Sequence, residues 1–138
     1  MTPLPVTSLA ASLLGIIYMV LAVRVSMQRR AARLSIGDGA AVGPGQEPVA
    51  PKLFLASRCH MNFVEYVPLT LILLALCELQ GAARPIIMVM AAALVVGRVM
   101  HPFGMGRPVP NIWRGGGIML NMLVLAAAIV LLLLRTLA

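Results

Sequence analysis

Gly115–Leu134 reads GGGIMLNMLVLAAAIVLLLL, twenty consecutive residues without a charge. A helix rises about 1.5 Å per residue, so this run spans about 30 Å, the thickness of a bilayer's hydrocarbon core. Arg135 closes it, and Asn121 is its one strongly polar member. A strand crossing a membrane would alternate apolar and polar side chains. This run does not alternate, so it reads as a membrane-spanning helix. The rest of the chain agrees. Of 138 residues, 61% are hydrophobic and 11% charged, against about 25% charged in an ordinary soluble domain. So short a chain has too much surface to stay soluble with so little polar material. It is also far too apolar for intrinsic disorder. The expectation is an all-α integral membrane protein, a single up-and-down four-helix bundle over residues 1–138.

Three further helices precede that run. Pro85 to Phe103 is the third (85–103), broken afterwards by Pro102, Gly104, Gly106, Pro108 and Pro110. Its uncharged part ends at Gly97, too short to cross alone, so Arg98 and His101 must lie near the membrane surface or face protein. Lys52 to Gln80 is the second (52–80), with Gly81 as its C-terminal cap and Pro68 expected to kink it. The first runs over 6–33, with Pro5 suited to its first turn. Its basic residues follow the apolar run, whereas a cleavable signal would carry them before it, so it is expected to stay uncleaved. Helix 115–135 completes the set. Residues 35–51, SIGDGAAVGPGQEPVAP, form the longest loop. Trp113 fits an interfacial anchor.

The net charge is +7. Nucleic-acid binding is the reflex reading of a basic chain, but here topology explains the charge better. The first connection and its flanks hold Arg24, Arg29, Arg30, Arg33 and Lys52, and the third holds Arg98, Arg107 and Arg114. The opposite side has Arg84 and Arg135. The positive-inside rule then puts both termini outside the cytoplasm. Cys59 and Cys77 lie in an apolar segment and read as small buried hydrophobes. With His60 and His101 they match no zinc or haem spacing, so no metal is expected. Gly115–Gly117 lacks the Lys-Ser/Thr ending of a phosphate-binding loop.

The chemistry sits in the second helix, in Arg58-Cys-His-Met-Asn62-Phe-Val-Glu65-Tyr66-Val-Pro68. Steps of four and three put Arg58, Asn62 and Glu65 on one helical stripe. Charges at this depth are costly unless they face protein or a wet cavity. Two readings stay open. One is a structural polar seam. The other is a pocket for a small zwitterion, with Arg58 on a carboxylate, Glu65 on an ammonium, and Asn62 and Tyr66 as hydrogen-bonding groups.

The run R-x-x-x-N-x-x-E-Y-x-P in the second of four apolar helices resembles the MAPEG family, the membrane-associated proteins in eicosanoid and glutathione metabolism. Gln28-Arg29-Arg30 at the end of the first helix and Gly97-Arg98-x-x-His101 at the end of the third are similar too. The short chain looks most like bacterial members, which implies a bacterial inner membrane. The resemblance implies a homotrimer binding glutathione between subunits and acting on lipophilic electrophiles or hydroperoxides from the membrane lipid. Arg58, Asn62, Glu65, Tyr66 and His101 would hold glutathione, with Arg29 or Arg30 helping from the first helix. Arg114 first and Arg98 second are the candidates to stabilise the thiolate. The chain departs from the family pattern at His101 and Met105, where similar eukaryotic members carry tyrosines. Arg114 also lies about two residues out of register. Two rivals therefore stand: a non-catalytic lipid-binding or scaffold protein of the same fold, and a small proton-coupled exporter built around Glu65.

Overall fold

A computed structural model describes residues 4–137. It contains α1 (Pro5–Ala31), α2 (Pro51–Leu79), α3 (Arg84–Gly104) and α4 (Ile112–Leu137). All four are long and apolar enough to cross a membrane, so the chain is an all-α integral membrane protein. The helix ends differ from the sequence reading by one to three residues, and two of the larger differences have a local cause. Helix α1 stops at Ala31 because Arg33 turns left-handed, with φ 55°. Helix α4 starts at Ile112, three residues before Gly115, because the Asn111 carboxamide accepts the Arg114 N–H at 2.9 Å. An Asn at that position satisfies one of the helix's free N–H groups. Gly81, with φ 73°, ends α2 as expected. Its turn is closed by the Ala82 N–H donating to the Cys77 carbonyl at 3.0 Å, a closure that needs a residue free to be left-handed. Helix α2 continues through Pro68 as one element.

Helix α1 packs on α2 and α3, and α4 on the same two, so α1 and α4 do not pair. The α3–α4 pair is the most intimate, and glycine permits it. A β-carbon at Gly97 would lie 2.9 Å from the Gly117 carbonyl oxygen, and one at Gly117 would lie 2.7 Å from that of Gly97. Close helix approach through small residues is what apolar solvent favours. Leu14, Leu53, Leu74, Ile87 and Leu94 form the most deeply buried core, while Leu9, Ile16, Met19, Val89 and Leu133 face outward. Helices apolar on all sides suit a bilayer surround.

The two ends of the bundle differ. At one, the Glu78 carboxylate near the end of α2 accepts from the Val6 N–H at 3.0 Å, the Thr7 N–H at 2.8 Å and the Thr7 hydroxyl at 2.6 Å. It caps α1, which has no side-chain cap of its own. Arg135 donates to the Gln80 carbonyl at 2.8 Å at the same end. At the other end, a β-carbon on Gly106 would sit 3.2 Å from the Leu55 side chain, which brings the third connection against the start of α2, where the first connection ends. The eight cations counted for those connections therefore share one end of the molecule.

Candidate functional site

The inward face of α3 is set by Ile87, Ala91, Leu94, Arg98 and His101, each three or four residues from the last and all buried. The face that packs the core thus carries Arg98 and His101 inward near its end. Of the two alternatives for these residues, facing protein is the one the fold takes. Arg98 is only 2% exposed. Its Nη1 donates to the Asn62 side-chain oxygen at 2.9 Å and to the Asn62 carbonyl at 3.5 Å. Its Nε and Nη2 are enclosed without a hydrogen-bond partner among the described residues. Tyr66, one turn from Asn62, lies within electrostatic reach of Arg98.

The stripe read on α2 therefore divides. Asn62 and Tyr66 are half-buried and turn toward α3, whereas Arg58 and Glu65 are exposed on the bundle's surface. The chain by itself leaves this charged pair uncovered on a membrane-spanning helix. The seven-residue step from Arg58 to Glu65 is about 10 Å of helix, so the two charges sit at different depths on one face.

His101 is 4% exposed, with Arg98 and Arg114 within electrostatic reach. Arg114 is exposed in the first turn of α4. Its backbone closes against Gly104, where any side chain would collide with it. Arg98, His101 and Arg114 thus gather at one end of the α3–α4 hairpin. Met105 is half-buried just beyond them. On α1, Arg29 donates to the Gly37 carbonyl of the long loop at 3.0 Å, and Arg30 is exposed.

Sequence reasoning gave no site role to Arg24, which lies within electrostatic reach of the buried Cys59 together with Arg114. It had counted Arg24 only as a charge that sets topology. It also missed Glu78, whose partners lie 71 and 72 residues away along the chain. His60 lies against Tyr18 with ring centroids 5.1 Å apart and planes tilted by 44°, which occupies it in the α1–α2 contact. Asn121 is fully buried with neither amide atom partnered among the described residues.

What the arrangement offers is a cationic end inside an apolar bundle. The chain's four acids are Asp38, Glu47, Glu65 and Glu78. Asp38 accepts from Ala40 in the loop, and Glu78 caps α1 at the far end. Among the described residues the Arg98 guanidinium hydrogen-bonds only to Asn62, which is neutral, so this end carries positive charge that the fold does not balance there.

The chain is 30% identical over 112 residues to the inner membrane protein YecN of Escherichia coli K12, covering 81% of this chain and 78% of that one. The YecN of Escherichia coli O6:H1 matches to the same extent. No solved structure matches significantly. The MAPEG family model matches residues 7–134, nearly the whole chain and all four helices. With that match, the R-x-x-x-N-x-x-E-Y-x-P helix and the four spans, the chain belongs to the MAPEG family.

Proposed function

We propose that this protein binds glutathione between subunits of a homotrimer and delivers its thiolate to a lipophilic electrophile or hydroperoxide from the bilayer. Family membership supports a membrane role in glutathione or lipid metabolism. The observation that carries the finer reading is the exposure of Arg58 and Glu65 on one spanning helix. Charges left uncovered in a membrane are costly unless they meet protein, a counter-charge or a wet cavity, and a polar ligand held between subunits meets that need. Glutathione supplies both carboxylates and an ammonium group. Arg58 takes a carboxylate as a fork, and Glu65 takes the ammonium. The basic end belongs in the cytoplasm by the positive-inside rule, where glutathione is abundant.

Thiolate stabilisation falls to Arg114. A free thiol has a pKa of about 8.5, which neighbouring cations and helix N-termini lower. Arg114 offers both, since it stands in the first turn of α4. Arginine stays protonated, so it stabilises the thiolate without acting as a base. Arg98 is the less suitable candidate because Asn62 already holds it inward.

The second reading, a lipid-binding or scaffold protein without turnover, is favoured by Met105, which has no proton to donate. Calorimetry of glutathione with the detergent-solubilised protein tests the proposal. We expect binding in the wild type and its loss in both Arg58→Ala and Glu65→Gln. A folded wild type that binds no glutathione would overturn it. Binding without turnover across electrophiles and hydroperoxides would leave the scaffold reading.

A further inference from the structure

A furrow runs between α1 and α3. A hollow of about 280 Å³ there is lined by Ile16, Val20, Arg24, Arg98, Val99 and Phe103. Another of about 350 Å³ follows it toward the far end, lined by Leu13, Ala92 and Val96 among others. Leu13 and Ile16 are one turn apart on α1, as are Val96 and Val99 on α3, so the two hollows form one track. The track is apolar except at one end, where Arg24 and Arg98 stand.

We infer that this furrow binds an anionic phospholipid, with one acyl chain along the track and the phosphate between Arg24 and Arg98. Three observations carry it. Arg98 is 2% exposed and lines the hollow, and its Nε and Nη2 lack partners among the described residues. A buried guanidinium without a counter-charge is costly, and the chain's acids that have described partners are engaged elsewhere. The depth also fits a headgroup. Phe103 packs on Trp113 at 6.3 Å, with Arg107 6.0 Å from the indole, the aromatic and basic layer of a membrane surface. Arg98 lies little more than one turn below Phe103, and the planar fork of arginine matches phosphate. Arg98 meets Asn62 on one side and lines the furrow on the other, whereas Arg58 and Glu65, which carry the glutathione reading, lie on α2 and are not among the furrow's lining residues.

Native mass spectrometry of the detergent-purified protein, given dioleoyl phosphatidylglycerol or dioleoyl phosphatidylcholine, tests this. The phosphatidylglycerol adduct should dominate at equal concentration. A basic residue near the surface contributes about 1 kcal/mol toward an anionic lipid, so Arg24→Ala should lower that adduct about five-fold. Arg24 is exposed, so this variant should fold. Val20→Trp should fill the track and lower the adduct without touching a charge. Equal binding of the two lipids, or an undiminished adduct in both variants, would overturn the proposal. So would displacement by excess glutathione, which would merge the site with the glutathione pocket. Displacement by equimolar oleate would overturn the phospholipid assignment in favour of a free carboxylate.

Discussion

Arg98 and Asn62 show how one hydrogen bond decides between roles. Asn62 was legible as a polar member of the α2 stripe, and Arg98 as a charge that must lie near the membrane surface or face protein. That the two meet was not legible, because they lie 36 residues apart and only the packing of α2 on α3 joins them. The pair makes a prediction. Asn62→Leu leaves the buried guanidinium with less to hold it and should destabilise the protein by about 3 kcal/mol. Asn62→Asp keeps the shape and adds a counter-charge, and should unfold at or above the wild-type temperature. Thermal unfolding in detergent checks both. A wild-type unfolding temperature for Asn62→Leu would mean that Arg98 does not depend on the bond. Arg114 carries the second residue-scale prediction. It is exposed and makes its described hydrogen bond through the backbone, to Asn111, so Arg114→Ala should fold normally. If the guanidinium stabilises a thiolate, turnover should fall at least about ten-fold at neutral pH, one pKa unit being about 1.4 kcal/mol. Glutathione affinity should move much less. Equal turnover would remove Arg114 from the reaction.

Among the elements, apolar run length and Gly or Pro punctuation were enough to place the four helices, because a bilayer sets the length and turn residues set the ends. The missed ends were those governed by contacts the local pattern does not contain. Helix α4 begins early on the Asn111 cap, and α1 is capped by a carboxylate from another helix. A proline opening the helix supplies no acceptor, so Val6 and Thr7 would otherwise present unsatisfied N–H groups near the membrane surface. Glu78 meets that need with three hydrogen bonds. Removing a cap typically costs about 0.5–2 kcal/mol. Glu78→Ala should therefore lower the unfolding temperature by a few degrees. Glu78→Gln, which keeps acceptor oxygen on one side, should lose less. Glutathione binding at the opposite end should be untouched in both. A drop in glutathione affinity in folded Glu78→Gln would mean that this end is not a purely structural clamp.

For the whole molecule, the distribution of charge is the feature that the sequence and the fold report together. Summing cations by connection was possible from the sequence because hairpin connections alternate sides. The fold adds the contact of Leu55 with Gly106 at one end and of Glu78 with α1 at the other. These place Arg24, Arg29, Arg30, Arg33 and Lys52 beside Arg107 and Arg114, and leave Arg84 and Arg135 across the membrane. Such an excess in short connections sets orientation during insertion. The proposed chemistry depends on the outcome, since the thiolate-stabilising Arg114 and the α1 arginines act on glutathione only if their end faces the cytoplasm. Cysteine labelling reads this directly. Ser35 and Ala83 are exposed in the first and second connections, whereas the native Cys59 and Cys77 are both buried. In intact bacterial spheroplasts, Ala83→Cys should react with a membrane-impermeant maleimide, and Ser35→Cys should react only after the membrane is opened. The reverse pattern would place Arg58, Glu65 and Arg114 on the side without glutathione. The four-helix fold would stand, and the glutathione reading would fall with the orientation.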